Sequence, residues 1–523
     1  RTNNTTSKMS STHTSEVELD NRRQPVDNEL SPAERTESKG GRQMSTFAEI
    51  GFICIIINSQ LMTQAGLGQA IAPLRTIGAS FGVENDPASL SWFPAAYSLT
   101  VGTFILIAGR LGDLYGHRRI FIAGWLWFAL WTMLAGFAVY SNAIFFDCAR
   151  AFQGMGPAFI LPNGMAILGV TYEPGMKKNL MFAAFGAMAP LGFLVGAVIT
   201  SLFAEFVWWP WGYWVIAMLC LLSAVGSIFL IPDTPSSAPD TTNSVWVKAD
   251  VAGCITGVSG LVLINFAWNR APTVGWQEPY VYVLLIVGII FLVVFTQIEK
   301  RTKFPLVPFA SMTADSTFLV GIVACGWASF GIWVYYAWQF IENLRGASPL
   351  LATAQFSPVA ITGFLASGAT GIILGKVPAS VVMGIALSAF CISNILLATT
   401  PVDQTYWAQF FVSVLIMPFG MDMSFPAATL LLSNAMPREH QGGAASLVMT
   451  IVNYSISLAL GFAGTVETHV NNGGKTKEDL LKGYRGAWYL SCGLAGLGIA
   501  LTMVFGLYER RKIQRAKSVS SLQ

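Results

Sequence analysis

One carboxyl group in this sequence of 523 residues lies deep inside an apolar run, where water is scarce. Asp422 stands in Phe419-Gly-Met-Asp-Met-Ser-Phe-Pro426, and about 15 residues, or roughly 22 Å of helix, separate it from either end of its run. Ionisable groups are costly in hydrocarbon, so they usually have a function there. A carboxyl near the midplane that takes up and releases a proton is what a proton carrier requires. The alternative is an Asp422 that stays protonated and bonds a neighbouring carbonyl.

A second charged group lies in an earlier apolar run. Asp147, Arg150 and Gln153 are spaced three residues apart, which places their side chains on one face of a helix. Arg150 is expected about 10 Å below the membrane boundary, where an unpaired guanidinium is costly. We favour a functional role for this charged face. The alternative is a static ion pair between Asp147 and Arg150 that only fixes helix packing.

Neutral amide side chains also recur inside the apolar runs. A single amide is more often an interhelical hydrogen bond, worth about 0.6 kcal/mol, than a ligand contact. As a set, however, these amides predict a wet interior. The candidate substrate-cavity residues are Asn58, Gln64, Gln153, Asn163, Gln355 and Asn453. Near the outer ends of the runs we expect solvated carboxylates at Glu205, Glu342 and Glu467.

Membrane-spanning helices must position these residues, because the composition is that of a membrane protein. Hydrophobic residues make up 53% of the chain and charged residues 11%, whereas soluble proteins carry roughly 25% charged residues. A span needs about 20 mostly apolar residues, and about fourteen runs meet this length. These runs are 46–74, 89–108, 119–140, 143–169, 179–204, 209–231, 249–268, 279–298, 316–340, 350–374, 378–398, 405–434, 441–466 and 486–508.

The order of the runs predicts an all-α integral membrane protein. The polar segment 1–44 lacks the apolar core of a signal peptide and is expected to be a disordered cytoplasmic tail. Lys and Arg residues concentrate in alternate loops and after the last run, which places both termini in the cytoplasm. The other predicted parts are an N-terminal six-helix bundle at 45–231, a linker with two extra spans at 232–315, a C-terminal six-helix bundle at 316–508 and a basic cytoplasmic tail at 509–523.

No residue pattern points to an enzyme. The chain has no G-x-x-x-x-G-K-[ST] nucleotide-binding sequence and no nucleophile–base constellation. The four histidines, His13, His117, His440 and His469, lack metal-ligand spacing, so neither a metal nor a cofactor is expected. The net charge of +3 is too small to indicate a nucleic-acid partner. The expected partners are a small-molecule substrate, protons and the lipid bilayer, and we expect a monomer.

The segment Gly109-Arg-Leu-Gly-Asp-Leu-Tyr-Gly-His-Arg-Arg119 separates the second and third runs. Glycine permits a tight turn, Asp113 can cap a helix N-terminus, and the arginines favour the cytoplasmic side. The segment resembles G-x-L-x-D-x-x-G-x-R-R/K, the signature of the major facilitator superfamily between its second and third spans. This resemblance implies a secondary transporter with its substrate site near the midplane between two bundles. It also implies a cytoplasmic gate formed by Gly109, Asp113, Gly116, Arg118 and Arg119.

Two further segments resemble signatures of the same superfamily. Arg150-Ala-Phe-Gln-Gly-Met-Gly156 resembles R-x-x-Q-G-x-G, in which the arginine is tied to proton transfer. The segment 186–196 resembles the antiporter signature G-x-x-x-G-P-x-x-G-G, although Ala189 and Phe193-Leu194 replace glycines. Close packing of small residues is a common alternative explanation for this pattern. The residues that match the antiporter signature are Gly186, Pro190, Gly192 and Gly196.

Over residues 50–508 the sequence resembles the fungal fourteen-span drug:proton antiporters. The runs that carry this likeness include Ala158-Phe-Ile-Leu-Pro-Asn163, Asn265-Phe-Ala-Trp-Asn-Arg-Ala-Pro272 and Gly464-Thr-Val-Glu-Thr468. The resemblance implies proton-coupled export of drugs, toxins or small solutes, with Asp422, Arg150 and Asp147 in proton coupling. It favours the plasma membrane over the vacuolar membrane.

Other transport functions stay open at this stage. The same resemblance extends to borate exporters and to low-affinity ammonium transport. A transporter-like sensor is a further alternative, but a sensor usually needs a sizeable output domain, and the polar tails are short.

Overall fold

The computed structural model describes residues 45–520 except 174, 234–244, 308, 310–311, 375 and 436–440. Within these ranges the regular structure is helical, and 14 helices are long and apolar enough to cross a membrane, which confirms the prediction. They are α1 (Thr46–Ile71), α2 (Pro87–Tyr115), α3 (His117–Phe137), α4 (Ala143–Thr171), α5 (Met176–Phe206), α6 (Pro210–Leu230), α7 (Val251–Val274), α8 (Pro279–Glu299), α9 (Ala314–Gln339), α10 (Pro349–Phe356 with Pro358–Ile373), α11 (Ala379–Thr399), α12 (Gln409–Ala435), α13 (Gln441–Val470) and α14 (Lys477–Ser520).

Helix boundaries differ most from the predictions where polar residues continue a helix. α2 was expected to end near residue 108 but continues to Tyr115, so most of the glycine- and arginine-rich segment is helical. α14 begins before and ends after its apolar run. A π-helical turn, Phe340–Leu344, extends α9. Hydropathy locates the membrane-embedded part of a helix, whereas backbone hydrogen bonding sets its ends.

The helices pack as two bundles. In the first bundle α3 packs on α4 and α6, and α2 packs on α4. In the second, α11 packs on α12 and α14, and α9 packs on α13 and α14. Two pairs of helices join the bundles, namely α2 with α13 and α5 with α10.

The additional helices α7 and α8 lie against one of these joints. α7 packs on both α2 and α13, and the Ser457 hydroxyl of α13 joins all three helices. It lies 2.8 Å from the Ala95 carbonyl oxygen of α2 and 3.1 Å from Asn265 Oδ1 of α7. α8 packs on α7, and only 11% of the residues in its most apolar stretch are buried within the protein. The pair therefore adds to the outside of a joint between the bundles.

The end of the molecule that carries Gly109–Arg119 is called the motif side below, and the other end is called the opposite side. α2 begins at Pro87 on the opposite side and reaches the motif side at Tyr115. α5 runs the other way, from Met176 on the motif side to Phe206.

Candidate functional site

Arg150 is fully buried inside the first bundle, and its guanidinium is surrounded by acceptors. Nε donates to the Phe93 carbonyl oxygen of α2 at 3.0 Å, and a terminal nitrogen donates to the Gly66 carbonyl oxygen of α1 at 2.7 Å. The other terminal nitrogen donates to Gln153 Oε1. The guanidinium carbon lies 4.5 Å from the centre of the Tyr97 ring. The positive charge therefore holds α1, α2 and α4 together.

The expected alternative, an ion pair between Asp147 and Arg150, is not formed in the described part of the chain. Asp147 Oδ1 is buried and has no hydrogen-bond partner there. Gln153, the third residue of this helical face, donates from Nε2 to Thr132 Oγ1 of α3 at 2.7 Å. The face is thus divided between a cation with an acceptor at each nitrogen and a carboxylate oxygen without a partner.

Asp422 is 8% exposed and lies near the middle of α12, next to the contact between α5 and α10. A Cβ added to Gly363 of α10 would lie 3.0 Å from Asp422 Oδ2 and 2.5 Å from Pro190 of α5. The Ser367 hydroxyl, one turn along α10, is a hydrogen-bonding neighbour of the carboxyl. Asp422 Oδ2 has no close donor, and no described Lys, Arg or His forms an ion pair with it. This carboxyl therefore lies unpaired between the bundles.

The six candidate cavity residues fall into two groups. Hydrogen bonds within the first bundle occupy Asn58, Gln153 and Asn163, because Asn58 Nδ2 donates to Ser223 Oγ at 2.9 Å and Asn163 Nδ2 donates to the Ala108 carbonyl at 3.0 Å. The other three, Gln64, Gln355 and Asn453, are half-buried, and among the described residues none of their side chains bonds another helix, since Asn453 Nδ2 donates to the Met449 carbonyl within α13 at 2.9 Å. These three remain the better candidates for substrate contact.

The Gly109–Arg119 segment makes one turn, at Gly116, whose φ of 93° suits glycine. Asp113 lies in the last turn of α2, and α3 begins after Gly116 without a side-chain cap, so Asp113 does not cap α3 as expected. It lies 3.5 Å from His117 Nε2 instead. His117 Nδ1 in turn lies 2.8 Å from Asn163 Oδ1 of α4. Local side chains thus fix the turn.

The two sides of this turn contact different parts of the chain. Arg118 pairs with Asp233 and donates to the Ile228 carbonyl oxygen at the end of α6. Arg119 is exposed. A Cβ added to Gly109 would lie 3.9 Å from Ser446 Oγ of α13, across the bundle boundary. The segment therefore spans the motif-side ends of both bundles.

Arg110 was not among the predicted gate residues, although it lies within the same segment. Its Nε donates to the Lys248 carbonyl oxygen before α7 at 2.8 Å, and another nitrogen donates to the Phe304 carbonyl after α8 at 3.4 Å. The guanidinium carbon also lies 5.4 Å from the centre of the Phe304 ring. Arg110 therefore joins α2 to both ends of the additional helix pair.

The antiporter-like residues of α5 have three different surroundings. A Cβ added to Gly192 or Gly196 would lie 2.2 Å from a carbonyl oxygen of α1, at Leu61 and Ala65 respectively. Pro190 meets Gly363 of the other bundle. An added Cβ at Gly186 would contact no described atom within 4 Å. Two glycines thus pack α5 on α1, and the proline faces the joint between the bundles.

The hydrogen bonds between the bundles lie between the middle of the molecule and its opposite side. Among the described residues, Tyr335 donates to the Pro87 carbonyl at 3.4 Å and Ser457 donates to Ala95. Between α5 and α10, two further bonds join Ser201 to Thr353 at 3.0 Å and the Leu350 N–H to Glu205 Oε2 at 3.3 Å. The hydrogen bonds that join the bundles are therefore concentrated in the opposite-side half of the molecule, whereas the motif-side approach of Gly109 to Ser446 is a packing contact.

Two carboxylates expected to be solvated are buried instead. Glu467 is 1% exposed and Glu342 is 7% exposed. Distance from the end of an apolar run indicated solvent, but Tyr336 of α9 and Gly483 of α14 pack on Glu467, and Glu342 lies in the buried π-helical turn after α9. Among the described residues no group of three His, Cys, Asp or Glu side chains has the arrangement of a metal site.

The family model described as the Major Facilitator Superfamily matches residues 53–328 and again residues 317–521. A low affinity ammonium transporter of Saccharomyces cerevisiae is 57% identical over 474 residues, which cover 90% of this chain and 91% of that protein. The efflux pump terJ of Aspergillus terreus is 56% identical over 90% of each chain. The aminotriazole resistance protein of Saccharomyces cerevisiae is 41% identical over 87% of this chain and 83% of its own length.

Solved structures share the fold at low sequence identity. The crystal structure of a POT family transporter in complex with a thioalcohol-conjugated peptide has a TM-score of 0.66 and 14% identity, covering 88% of this chain and 96% of that one. The matched family model, the relatives and the fold agree with the resemblance seen in the sequence. This chain belongs to the major facilitator superfamily and is a multi-pass membrane transporter, not an enzyme.

Proposed function

We propose that this protein is a proton-coupled antiporter that exports drugs, toxins or other small solutes by alternating access. The observation that carries the proposal is Asp422, a buried carboxyl near the middle of α12 that pairs with no described cation. Such a group stays neutral in a closed bundle and ionises where water reaches it. Relatives named as efflux pumps support the export direction.

The position of Asp422 supports coupling between proton binding and bundle movement. Gly363 brings the carboxyl close to Pro190 of the other bundle. If α5 and α10 separate, this contact opens and water reaches Asp422. In this proposal the substrate binds when Asp422 is ionised, and the proton binds Asp422 when the substrate is absent. Substrate and proton therefore exclude each other, which is the condition for antiport.

Arg150 and Asp147 take part in this proposal through a change of partner. In the present arrangement Arg150 holds α1 and α2 by their carbonyls, and Asp147 Oδ1 lacks a partner. A second state, in which the guanidinium pairs with Asp147, releases both helices from α4. The two arrangements supply a discrete switch of the kind that alternating access needs.

The motif side is cytoplasmic in this proposal, and both termini lie there. The opposite-side hydrogen bonds close the outside, so the substrate enters from the cytoplasm towards Gln64, Gln355 and Asn453. The gate residues Gly109, Asp113, Gly116, Arg118 and Arg119 then close the cytoplasmic side in the second state. We place the protein in the plasma membrane as a monomer.

Ammonium transport is the second candidate, because the 57% identical relative carries that name. The efflux pump terJ is nearly as similar, at 56% identity, so sequence identity does not separate the two candidates. Borate export is a further candidate that follows from the resemblance of the sequence. These possibilities differ in the charge and size of the solute, so transport assays distinguish them.

The proposal is tested with purified protein in proteoliposomes that contain a pH-sensitive dye. Three probes, namely ethidium, boric acid and methylammonium, are added to separate samples under an imposed pH gradient. We expect at least one probe to move protons in the opposite direction. Asp422→Asn should abolish this movement, whereas Asp403→Asn, at an exposed loop aspartate, should not.

Two results oppose the proposal in different ways. If every probe leaves the trapped dye unchanged in the wild type, proton-coupled antiport of these solute classes is wrong. If Asp422→Asn keeps the wild-type rate, Asp422 is not the proton carrier. Proton movement in the same direction as methylammonium indicates the uptake alternative.

A further inference from the structure

A buried polar cluster that the proposed function does not use lies on the opposite side, where α9, α13 and α14 meet. Glu467 of α13 accepts a hydrogen bond at Oε2 from the Tyr336 hydroxyl of α9 at 2.8 Å. The rings of Tyr336 and Tyr484 lie edge to face at 5.5 Å. Asn343 Nδ2 donates to the Tyr484 hydroxyl and to Gln339 Oε1, each at 2.7 Å. Four elements of the second bundle thus enclose one carboxylate.

The charge of Glu467 is poorly compensated in this cluster. No ion pair involves it within the described residues, and one hydroxyl is its bonded donor. The ionisable groups that face the cluster are Tyr335 and Tyr336 from α9, Tyr484 from α14, Glu342 from the π-helical turn, Arg75 after α1 and Asp86 before α2. Arg75 is exposed, so its charge is screened by solvent.

Several atoms around the carboxylate lack partners, which is unusual for buried polar groups. Gln339 Nε2, Glu342 Oε1 and Asn343 Oδ1 are buried without a hydrogen bond. Gln339 is 3% exposed, and its amide is bonded into the cluster through Asn343. Unsatisfied donors and acceptors in one place indicate a site that admits water or exchanges protons.

A contact between the bundles covers this cluster. Tyr335, the neighbour of Tyr336, donates across the boundary to the Pro87 carbonyl oxygen, at the first residue of α2. If α2 moves away from α9, this cover is removed and the opposite side gains access to Glu467.

We infer that Glu467, hydrogen-bonded by Tyr336, is a second proton-binding site, which exchanges protons with the opposite side of the membrane. This inference rests on the proposed function and deepens it. Uptake forms one O–H bond on the Glu467 carboxylate and breaks one O–H bond of a hydronium ion on the opened side, which leaves as water; release is the reverse. Tyr336, which donates to the ionised carboxylate, can accept from the protonated one, so its hydroxyl serves both states.

The site is tested without any substrate, by infrared spectroscopy of the full chain in lipid nanodiscs at a series of pH values. A buried carboxylic acid gives a C=O band separate from that of the carboxylate. We expect a pH-dependent band that is lost in Glu467→Gln and retained in Glu278→Gln, the same change at an exposed opposite-side residue. Tyr336→Phe should keep the band and move its frequency, because the hydrogen bond is lost. Tyr489→Phe, at an exposed ring of α14, should leave it unmoved.

Three results overturn the inference. The first is a Glu467→Gln spectrum identical to that of the wild type at every pH, and the second is a Glu467 band whose intensity is independent of pH. The third is a band that Tyr336→Phe leaves at the wild-type frequency. If Glu467→Gln does not fold, the comparison of the band frequency in Tyr336→Phe and Tyr489→Phe decides whether the band belongs to Glu467.

A transport assay separates failure of this site from failure of the proposed function. Glu467→Gln should reduce pH-driven flux at least tenfold and leave exchange of labelled for unlabelled probe at equal pH unchanged. Normal pH-driven flux in Glu467→Gln overturns the second site only. Absence of proton movement in the wild type with ethidium, boric acid and methylammonium overturns the proposed function, and the infrared result then still shows whether Glu467 titrates.

Discussion

The two bundles of this transporter bury charge in opposite ways. In the first bundle Arg150 is surrounded by two backbone carbonyls, an amide oxygen and an aromatic face. In the second bundle Asp422 has an unpartnered oxygen, and Glu467 receives one hydroxyl donor. Each nitrogen of the cation thus has a hydrogen-bond acceptor, whereas the carboxyls have few donors.

The chemistry of the side chains explains this difference. A guanidinium does not lose its proton in a protein, so its charge has to be satisfied permanently. A carboxyl can be neutralised by a proton and can therefore remain buried with few partners. The comparison teaches that the permanent charge of Arg150 can change only its partners, whereas the carboxyls of the second bundle can gain and lose the charge itself.

Replacement of Arg150 tests this comparison with the largest expected effect. Arg150→Leu removes three hydrogen bonds of a charged donor, to Gln153 Oε1 and to the Phe93 and Gly66 carbonyls, so we expect a loss of about 5 kcal/mol of stability. The loss should appear as a lower apparent unfolding temperature, measured by tryptophan fluorescence in detergent. Arg119→Leu, at an exposed arginine, is the control. Equal unfolding temperatures for both variants would contradict a structural role for the buried cation.

Asp422→Asn should do the reverse, with a large effect on transport and a small one on stability. Asparagine resembles the protonated side chain, so it removes the charge without leaving a cavity. We expect pH-driven flux to fall at least tenfold, which is about 1.4 kcal/mol or more in the barrier, with an unfolding temperature equal to or above that of the wild type. A clear loss of stability would show that Asp422 is a structural residue, like Arg150.

The sequence was sufficient for the spans and for the burial of Asp422. Apolar length is a property of composition, so fourteen runs predicted fourteen helices. Asp422 is flanked by apolar residues on both sides, which places it within the membrane, and the cost of a carboxyl against lipid favours the protein interior. The turn at Gly116 also follows from local residues.

The partners of the other polar residues depend on helices far away in the chain. Asn58 bonds Ser223, 165 positions later, and no local pattern indicates that bond. Glu467 lies near the end of its run, and only the packing of Tyr336 and Tyr484 shows that it is buried. The sequence therefore indicated which residues are unusual but not which of them are satisfied.

The close packing of α5 on α1 gives a further test of the difference between the bundles, this time within the first bundle. Gly192→Ala places a Cβ 2.2 Å from the Leu61 carbonyl oxygen, and overpacking of this kind costs about 1–3 kcal/mol. Gly186→Ala, where an added Cβ contacts no described atom within 4 Å, is the matched control. The apparent unfolding temperature should fall in the first variant and stay unchanged or rise in the second. Similar temperatures would mean that α5 is free to move on α1.

The smallest expected effect concerns the joint between the two bundles. Ser457→Ala removes one hydroxyl that lies within hydrogen-bond distance of α2 and of Asn265 in α7. The net cost of such a bond is about 1 kcal/mol. If α2 and α13 stay together throughout the cycle, this cost lowers the unfolding temperature only. If α2 and α13 separate during the cycle, the bond exists only in the state in which they are in contact. Its loss then raises the rate of leaving that state by roughly fivefold. Single-turnover flux of Ser457→Ala beside Ser388→Ala, whose hydroxyl bonds within α11, decides between the two cases.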